Sequence, residues 1–291
     1  MNPLICHYAE THFLSMPELP EVEIIRRSLE GRVRGATIAG LHIHRDDIVR
    51  AGRPIAEWFL QTTIIRLSRR GKCLVFSCQG PDETRHIVSE LGMTGLWLYD
   101  KTLAPSPQHI HVDLLLSGTS SQQLYYWNPR RFGRIWFLHT QELDAFCQRR
   151  FGPEALEMKE SDFVALIKGC RGRLKPFLLD QHRIAGIGNI YANEILFRAG
   201  VHPHAHGNRL LNSTCHRLFQ ATHQVLQESI TAGGSSIRDF RAPDGTLGQF
   251  QNSHQVYQKE GHPCPRGCDS AIKRLSGDRS SFFCPSCQRK R

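Results

Sequence analysis

Four cysteines near the end of the chain constrain its fold more than any other feature. Cys264, Cys268, Cys284 and Cys287 form two close pairs separated by fifteen residues, and the second pair reads CPSC. Four thiolates at this spacing suit the tetrahedral coordination of Zn2+, with a short β-hairpin between the two pairs. The spacing therefore predicts one structural zinc ion, because four protein ligands leave no open position for catalysis. Two disulfides or four free thiols are the alternatives.

The remaining cysteines indicate which cellular compartment suits the chain. They are scattered along it: Cys6, Cys73, Cys78, Cys147, Cys170 and Cys215. Scattered thiols in a chain of this length are typical of a protein kept in a reducing environment. Residues 1–15 show neither the basic segment nor the continuous apolar segment of a secretory signal, and no apolar run is long enough to span a bilayer. We therefore expect a soluble, cytoplasmic protein.

The charge balance leaves two interpretations open. Lys and Arg number 37 against 27 acidic residues, which gives a formal net charge of +10. This excess favours a polyanionic partner such as nucleic acid, but a basic soluble enzyme without such a partner fits it equally well. The sixteen histidines, among them His202, His204 and His206, lack the accompanying carboxylate that a metal site would favour. We interpret them as solvated loop residues.

The first half of the chain has the pattern of a β-domain preceded by one helix. Residues 20–31 are predicted to form that helix, with Pro20 at its first turn and Gly31 at its end. Short alternating or apolar runs follow, punctuated by Gly, Pro and Asp, at 36–43, 62–68, 73–78, 86–91, 110–116, 123–127 and 134–138. Many short strands separated by turns predict a β-sandwich.

The second half changes to a helical pattern. Helices are predicted at 189–199 and 208–232, where Gly200 and the Gly233–Gly234 pair suit their C-terminal ends, and residues 233–250 read as a long loop of the kind that often binds ligands. The predicted fold class is therefore α+β. The predicted divisions are an extension at 1–15, a β-domain at 16–138, a linker at 139–152, a helical domain at 153–254 and a zinc ribbon at 255–291.

A series of short motifs extends from Met16 to the cysteine cluster. It begins with MPELPEVE and continues with RRGK at 69–72, LGMTG at 91–95, NPRRFG at 128–133, LLDQHRIAGIGNIYANEILFRAGVHP at 178–203, GGSSIRDF at 233–240 and RSSFFCPSC at 279–287. In this order, the motifs resemble the bacterial formamidopyrimidine-DNA glycosylase family. The resemblance implies an N-terminal β-sandwich, a helical domain with a helix–two-turn–helix element and a zinc hairpin. One departure is CPRGC, with three residues between cysteines where the family usually has two; zinc tolerates either spacing.

The resemblance implies a catalytic group assembled from both ends of the chain. Family members lose the initiator methionine and use the exposed proline nitrogen, so Pro17 is the implied nucleophile, which forms a Schiff base with the deoxyribose. Glu18 is the implied proton donor that opens the sugar ring. Lys72 and Arg279 are the implied proton donors and phosphate contacts of the elimination steps. Glu21 is implied as a supporting residue, although the sequence alone favours an ordinary helix-terminus charge there.

The resemblance also implies a set of DNA contacts. They are Met93, His109, Arg130, Arg131, Phe132, Arg173 and Asn189. Of these, Met93, Arg130 and Phe132 are expected to fill the gap left when the damaged base leaves the stack. Asn189 begins a helix, where backbone amides favour phosphate, and loop 233–250 is expected to close over the flipped base.

The implied function is base excision repair by a monomer in the bacterial cytoplasm, associated with the nucleoid. The implied partner is damaged double-stranded DNA, from which the enzyme removes 8-oxoguanine and formamidopyrimidines before it cleaves the strand by β,δ-elimination. Because an amide nitrogen cannot attack a sugar, translation is expected to begin at Met16; if residues 1–15 are retained, a catalytically silent lesion-binding protein is the alternative. A pyrimidine-specific enzyme of the endonuclease VIII type is disfavoured by Leu19, since that branch begins MPEGPE.

Overall fold

The computed structural model describes residues 16–237, 240–277 and 279–289, and its first helix, α1, spans Leu19–Val33. The expected removable extension and Cys6 lie outside these described residues. Helix α1 continues past Gly31, where the sequence predicted its end. It does so because its buried face, Val22, Ile25, Leu29 and Val33, keeps helical spacing to the last residue.

Nine strands follow α1 and form one hydrogen-bonded sheet. They are β1 (Thr37–Ile43), β2 (Val49–Ala51), β3 (Thr63–Arg70), β4 (Cys73–Gln79), β5 (Thr84–Glu90), β6 (Leu96–Leu98), β7 (Ile110–Ser117), β8 (Gln123–Trp127) and β9 (Arg134–His139). The strand order is β2-β9-β5-β4-β3-β1-β7-β8-β6. All seven predicted strands are present within two residues of their expected bounds, because each carried an apolar run or alternation bounded by turn residues.

The sheet folds over so that its two halves face each other. Strand β6 lies six places from β5 in the strand order, yet Trp97 of β6 donates from Nε1 to Ser89 Oγ of β5 at 2.9 Å. The Trp97 ring also packs 5.3 Å from the Phe76 ring of β4. This fold encloses an apolar core between the two layers, as the sandwich prediction requires.

Most of the segment that was expected to be a linker is a helix. Helix α2 spans Thr140–Arg150 and packs on the outer face of the sheet, where the Phe146 ring lies 5.0 Å from the Trp136 ring. Only Phe146 is buried within α2, so the sequence carries a weak helical pattern here. After α2, residues 151–159 cross to the helical domain, where Glu154 and Ala185 form a bridge.

The second half of the chain is helical, which confirms the α+β class. Its helices are α3 (Glu160–Lys168), α4 (Leu174–Leu179), α5 (Asn189–Ala199) and α6 (Asn212–Thr231). Helix α5 has the predicted bounds, whereas α6 begins four residues later than predicted because a separate 3-10 turn occupies Gly207–Arg209. Among the described helices, none is both long and apolar enough to cross a membrane.

Helix α5 forms the centre of the helical domain. Nine of its eleven residues are buried, and it packs against α4, α6 and the terminal hairpin. That hairpin consists of β10 (Lys273–Leu275) and β11 (Ser281–Phe283), between the two cysteine pairs as predicted. The α1 helix joins the two domains, because Leu19 belongs to the core of the helical domain and Val22 to the core of the sheet.

A buried ion-pair cluster fixes the β3–β4 turn to the segment that enters the helical domain. The Glu154 carboxylate accepts from the Arg70 guanidinium at 2.7 Å and from the Gly71 amide at 2.6 Å, and it is also bonded by Arg69. Its side chain is 4% exposed and that of Arg69 is 7% exposed. The cluster therefore sets the position of Lys72, the next residue in the turn.

We expect Glu154→Ala to lower the free energy of unfolding by about 3 to 5 kcal/mol, because it leaves two arginines without their buried partner. Urea unfolding followed by circular dichroism measures the change. Glu157→Ala is the matched control: its side chain is exposed three residues along the same segment, so we expect a change of about 0.5 kcal/mol or less. Equal losses in the two variants would contradict a specific role for the Glu154 cluster.

Candidate active site

Glu18 is buried where the first helix meets the helical domain. Its carboxylate accepts from the backbone amides of Ile190 at 2.9 Å and Tyr191 at 3.4 Å, in the first turn of α5. Gly188 makes this approach possible, since a Cβ there would lie 2.2 Å from Glu18 Cδ. Backbone amides at this helix start were expected to bind phosphate, but two of them are hydrogen-bonded to the Glu18 side chain.

Burial raises the pKa of Glu18 to about 7. Desolvation of the carboxylate is the largest cause, and the neighbouring Lys72 charge opposes it. Burial also lowers the pKa of Lys72, while the carboxylate of Glu18 raises it and the Arg279 charge lowers it further. Glu18 is therefore a carboxyl that can hold or release a proton near neutral pH, next to a cation.

Glu21 is a buried member of the same site rather than an exposed helix-terminus charge. One of its carboxylate oxygens accepts from the Glu18 amide at 2.9 Å. The other accepts from the Ser235 amide at 2.8 Å and from the Tyr191 hydroxyl. Glu21 thus holds the backbone of Glu18 and ties α1 to the beginning of loop 233–250.

Pro17 precedes these two carboxyls and is itself buried. The chain here is fixed by the Leu19 amide, which donates to Gly186 O at 3.0 Å. Gly186 adopts φ +99°, and a Cβ there would lie 2.5 Å from the Leu19 side chain. The structure therefore places Pro17 directly beside Glu18, at the contact between the two domains.

A cationic cavity of about 550 Å3 lies between α4 and the terminal hairpin. Its lining includes three cations, Arg173, Lys175 and Arg279, with Asp180 and His204. Lys175 was not identified from the sequence, although a lysine inside the apolar run of α4 is an unusual signal. It is 2% exposed, and its ammonium donates to Ser280 O at 2.6 Å and to Ser281 Oγ at 3.0 Å.

Lys175 therefore holds the hairpin turn that carries Arg279. Burial lowers the pKa of Lys175 to about 7, so these oxygen acceptors offset only part of the cost of burying its charge. The Arg279 side chain is exposed. This arrangement brings together Arg173 and Arg279, which the sequence analysis placed among the DNA and phosphate contacts.

Met93 and the Arg130–Phe132 segment also lie side by side. The Thr94 hydroxyl donates to Asn128 Oδ1 at 3.2 Å and accepts from the Arg130 amide at 3.4 Å. Phe132 is 52% exposed, and the Arg130 guanidinium lies 5.5 Å from its ring centre. An exposed aromatic ring held by a rigid pair of loops suits insertion into another molecule.

The remaining predicted contacts lie around these loops. His109 is half-buried, and its carbonyl accepts from the Asn128 amide at 2.9 Å. Arg131 is exposed at φ +54° and pairs with Asp47 at 3.2 Å. Asn189, at the start of α5, is held through its backbone carbonyl, which accepts from the side-chain Nδ2 of Asn193 at 2.6 Å.

The four cysteines of the terminal hairpin come together in a geometry that fits a metal ion. Their sulfur atoms all lie within 4.8 Å of one another, with Cys268–Cys284 at 3.4 Å, Cys268–Cys287 at 3.6 Å and Cys264–Cys287 at 3.8 Å. A tetrahedral ion with bonds of about 2.3 Å to sulfur requires about 3.8 Å between sulfurs. Within the described ranges, this is the one such group of histidine, cysteine or acidic side chains.

The histidines at 202, 204 and 206 form no metal-binding group among the described residues. They are half-buried rather than solvated. His202 Nδ1 accepts from the His204 amide at 3.0 Å, and its ring packs 4.8 Å from the Phe283 ring. His202 therefore contributes to packing between the helical domain and the hairpin.

Arg266, which lies within the first cysteine pair, makes structural contacts of its own. Arg266 donates from Nη2 to the carbonyls of Phe197 at 2.8 Å and Arg198 at 2.9 Å, in the last turn of α5. Its guanidinium also lies 4.8 Å from the centre of the Phe197 ring. A cation at a helix C-terminus satisfies unpaired carbonyls and complements the helix dipole. Arg266 thus docks this cysteine pair on α5.

We expect Glu18→Gln to stabilise the protein in a pH-dependent way. The folded-state pKa of Glu18 is raised from 4.5 to about 7, so folding opposes its ionisation as the pH rises from 4.5 through 7. At about 1.4 kcal/mol per pKa unit this corresponds to about 3 kcal/mol above pH 7. The Gln variant should gain that amount at pH 8 relative to pH 4.5, as urea unfolding at both pH values measures.

Glu260→Gln, at an exposed position, is the control for this comparison. It should change stability by the same small amount at both pH values. A stability difference between Glu18→Gln and the parent protein that does not vary with pH would show that the Glu18 carboxyl is ionised in the folded protein as readily as in the unfolded chain.

Comparison with known proteins relates this geometry to one family. Residues 16–135 match the formamidopyrimidine-DNA glycosylase N-terminal domain, and residues 151–241 match its H2TH domain. The formamidopyrimidine-DNA glycosylase of Pelotomaculum thermopropionicum is 37% identical over 94% of this chain and 99% of its own length, and that of Thermus thermophilus is 38% identical over 94% and 98%.

Solved structures agree with the sequence relatives. The Lactococcus lactis Fpg in complex with DNA containing an abasic site has a TM-score of 0.82 and 35% identity, over 94% of this chain and all of that one. The MutM (Fpg) protein of Thermus thermophilus has a TM-score of 0.81 and 37% identity over the same shares. The chain belongs to the formamidopyrimidine-DNA glycosylase family.

Proposed function

We propose that this protein is a bifunctional DNA glycosylase and abasic-site lyase that removes oxidised purines, 8-oxoguanine and formamidopyrimidines, from double-stranded DNA. The observation that carries the proposal is the buried carboxyl of Glu18, which has a pKa of about 7. It comes directly after Pro17 in the chain and lies close enough to Lys72 to interact with its charge. A proton donor that titrates near neutral pH, next to an amine and a cation, suits Schiff-base chemistry on a sugar.

In the proposed reaction, the lone pair of the free Pro17 nitrogen forms a bond to the sugar C1′ while the bond from C1′ to the damaged base breaks. The departing base takes up the proton that the Pro17 nitrogen gives up after its attack, which restores the nitrogen lone pair needed to form an iminium. The Glu18 carboxyl then protonates the ring oxygen O4′, and the C1′–O4′ bond opens to leave an iminium ion. Burial suits Glu18 for this step, because a carboxyl that keeps its proton at neutral pH can donate it.

The iminium ion then promotes strand cleavage. It acidifies C2′, loss of that proton breaks the bond to the 3′ phosphate, and a second elimination breaks the bond to the 5′ phosphate. Water finally hydrolyses the iminium and frees Pro17. Lys72 and Arg279 are the cations proposed to contact these phosphates, since Arg279 lies close enough to Lys72 to lower its pKa and electrostatic stabilisation of a leaving phosphate lowers the barrier.

DNA binding is proposed to use the loops around this site. Met93, Arg130 and Phe132 would fill the space left by the flipped nucleotide, and Phe132 has the exposure that insertion requires. Arg131, His109, Arg173 and Asn189 would contact the backbone. The net charge of +10 and the relative from Lactococcus lactis bound to DNA with an abasic site support this interpretation. We further propose that the protein acts as a monomer in the bacterial cytoplasm, near the nucleoid.

The four cysteines are proposed to hold one Zn2+ ion. Zinc would supply a structural crosslink there and no chemistry, since all four of its positions would be occupied by thiolates. Cys264 and Cys268 are the first cysteine pair, which Arg266 docks on α5, and Cys284 and Cys287 follow β11. The crosslink would keep Arg279 in place at the tip of the hairpin.

The first prediction of the proposed function concerns the chain terminus. A protein that begins at Pro17 should be trapped on 8-oxoguanine DNA by borohydride, because reduction converts the iminium to a stable amine, and mass spectrometry should locate the linkage on Pro17. The full 291-residue form should give no trapped product, because its Pro17 nitrogen is a tertiary amide with no available lone pair.

The controls separate the enzyme from the alternatives. Glu18→Gln in the protein that begins at Pro17 should bind lesion DNA but react at least tenfold more slowly. Equal trapping by the full-length form, with Met1 intact, would exclude Pro17 and require a lysine such as Lys72 as the nucleophile. Binding without trapping in either form would favour a silent lesion-binding protein.

The second prediction concerns the cysteine cluster. Cys284→Ser should lose zinc and DNA affinity together, because the hairpin that carries Arg279 loses its crosslink. Zinc content measured by atomic absorption and affinity measured by fluorescence anisotropy provide the two readouts. Cys147→Ser, a half-buried thiol of α2, should change neither. A Cys284→Ser variant with one zinc per chain and normal affinity would show that the ribbon assignment is wrong.

A further inference from the structure

A chain of buried hydrogen bonds extends from the Glu21 carboxylate to loop 233–250. The Glu21 oxygen that accepts from the Ser235 amide at 2.8 Å also accepts from the Tyr191 hydroxyl. That hydroxyl lies 2.6 Å from Ser229 Oγ, at the end of α6, and 3.3 Å from Ser235 Oγ. The first residues of the loop are therefore bonded to the same carboxylate that holds the backbone of Glu18.

The chain of hydrogen bonds ends at His254, beyond the loop. Ser235 Oγ lies 3.0 Å from His254 Nε2. The His254 ring is 8% exposed and packs between the rings of Phe250 and Tyr257, whose centres lie 5.5 and 5.6 Å away. Burial lowers the pKa of His254 to about 4, so the imidazole is neutral and can bond a hydroxyl without a buried charge.

The backbone at the start of the loop needs such a restraint. Gly233 and Gly234 both have positive φ, +77° and +80°, and a Cβ on Gly234 would lie 3.1 Å from Glu21 Oε1. The chain thus leaves α6 through two glycines, which have wide conformational freedom in the unfolded state, and passes directly against the Glu21 carboxyl. A small displacement of Ser235 would move the loop relative to Glu21.

The two ends of the loop are also tied to each other. The Phe250 amide donates to Gly234 O at 3.0 Å, the Ser236 amide donates to Gln251 Oε1 at 2.9 Å, and the Gly248 amide donates to Ser236 Oγ at 2.8 Å. These bonds close the base of the loop. The bond between Ser235 and His254 then attaches this closed base to the segment that follows it.

We propose that His254 is a positioning residue that acts through Ser235: it fixes the base of loop 233–250 against Glu21 and Tyr191, so that the loop can hold a flipped damaged base. The inference rests on the proposed function, in which this loop covers that base. It adds that base excision and strand cleavage depend differently on His254.

The different dependence follows from where the reacting groups lie. Pro17 and Glu18 precede α1, and Lys72 lies in the β3–β4 turn, so none of these three residues is carried by the loop. Glu21 would keep its bonds to the Glu18 amide and the Tyr191 hydroxyl if Ser235 moved. An abasic site presents no base for the loop to hold, and its cleavage should therefore tolerate a displaced loop.

The test compares two substitutions on two substrates in single-turnover assays. His254→Leu fills the same space but cannot bond Ser235, and a buried hydroxyl left without a partner is costly. It should slow excision of 8-oxoguanine about tenfold, the ratio that a loss of about 1.4 kcal/mol produces, and change cleavage of a preformed abasic site less than about twofold. His254→Gln keeps an amide that can bond the hydroxyl and should restore most of the excision rate.

Two further variants control for packing. His223→Leu replaces a histidine of α6 whose Nε2 has no hydrogen-bond partner among the described residues, and it should leave both rates unchanged. Ser235→Ala removes the same bond from the loop side with little change of volume, retains the amide bonded to Glu21, and should reproduce the selective loss of excision even if His254→Leu folds poorly.

The outcomes distinguish this inference from the proposed function. Equal slowing of both reactions in folded His254→Leu and Ser235→Ala, no slowing of either, or a Gln variant as slow as the Leu variant would overturn the positioning role while the glycosylase assignment stands. If the parent protein, beginning at Pro17, processes neither substrate, the proposed function itself fails, and the role of His254 fails with it.

Discussion

The bond between the Glu18 carboxyl and the first turn of α5 is the contact on which the rest of the structure depends. It joins a residue of the N-terminal segment to amides 172 and 173 positions along the chain, and it buries an acid that in water would be ionised. The helix start lowers the cost of that burial through its amide donors, while desolvation still raises the pKa to about 7. The same contact thus joins the two domains and holds a carboxyl whose pKa suits its proposed role as proton donor.

A second junction, at Glu154, holds the other half of the site. Glu154 bonds the Arg70 guanidinium and the Gly71 amide, so the turn that presents Lys72 is anchored to the segment entering the helical domain. Glu18 and Lys72 are far apart in the sequence, but both are fixed to the helical domain. Their mutual charge interaction therefore depends on two contacts, that of Glu18 with α5 and that of Glu154 with the β3–β4 turn.

The strands, α5 and the cysteine cluster could be predicted from the sequence, because their signals are local. Alternation of apolar and polar residues predicts a strand, and Gly200 ends a helix in the left-handed region. Two spaced pairs of thiols suit the tetrahedral coordination of a metal ion. Helix α2 could not be predicted in this way, since Phe146 alone of its residues is buried. Lys175, Tyr191, Ser235 and His254 were also missed. Their partners lie across turns and domains, and no spacing rule relates Tyr191 to Ser235 or Lys175 to Ser280.

Helix α5 explains how a distant cysteine cluster can belong to the same functional unit as Glu18. Its N-terminus bonds Glu18, and its middle carries Glu194, whose carboxylate accepts from the amides of Val256 and Tyr257 at 3.0 and 2.8 Å. Its last turn is capped by Arg266 of the first cysteine pair. A helix of eleven residues is about 16 Å long, and polar contacts occupy both its ends: a buried one at Glu18 and an exposed or partly buried one at Arg266. The helix that positions Glu18 would therefore also oppose displacement of the cysteine hairpin.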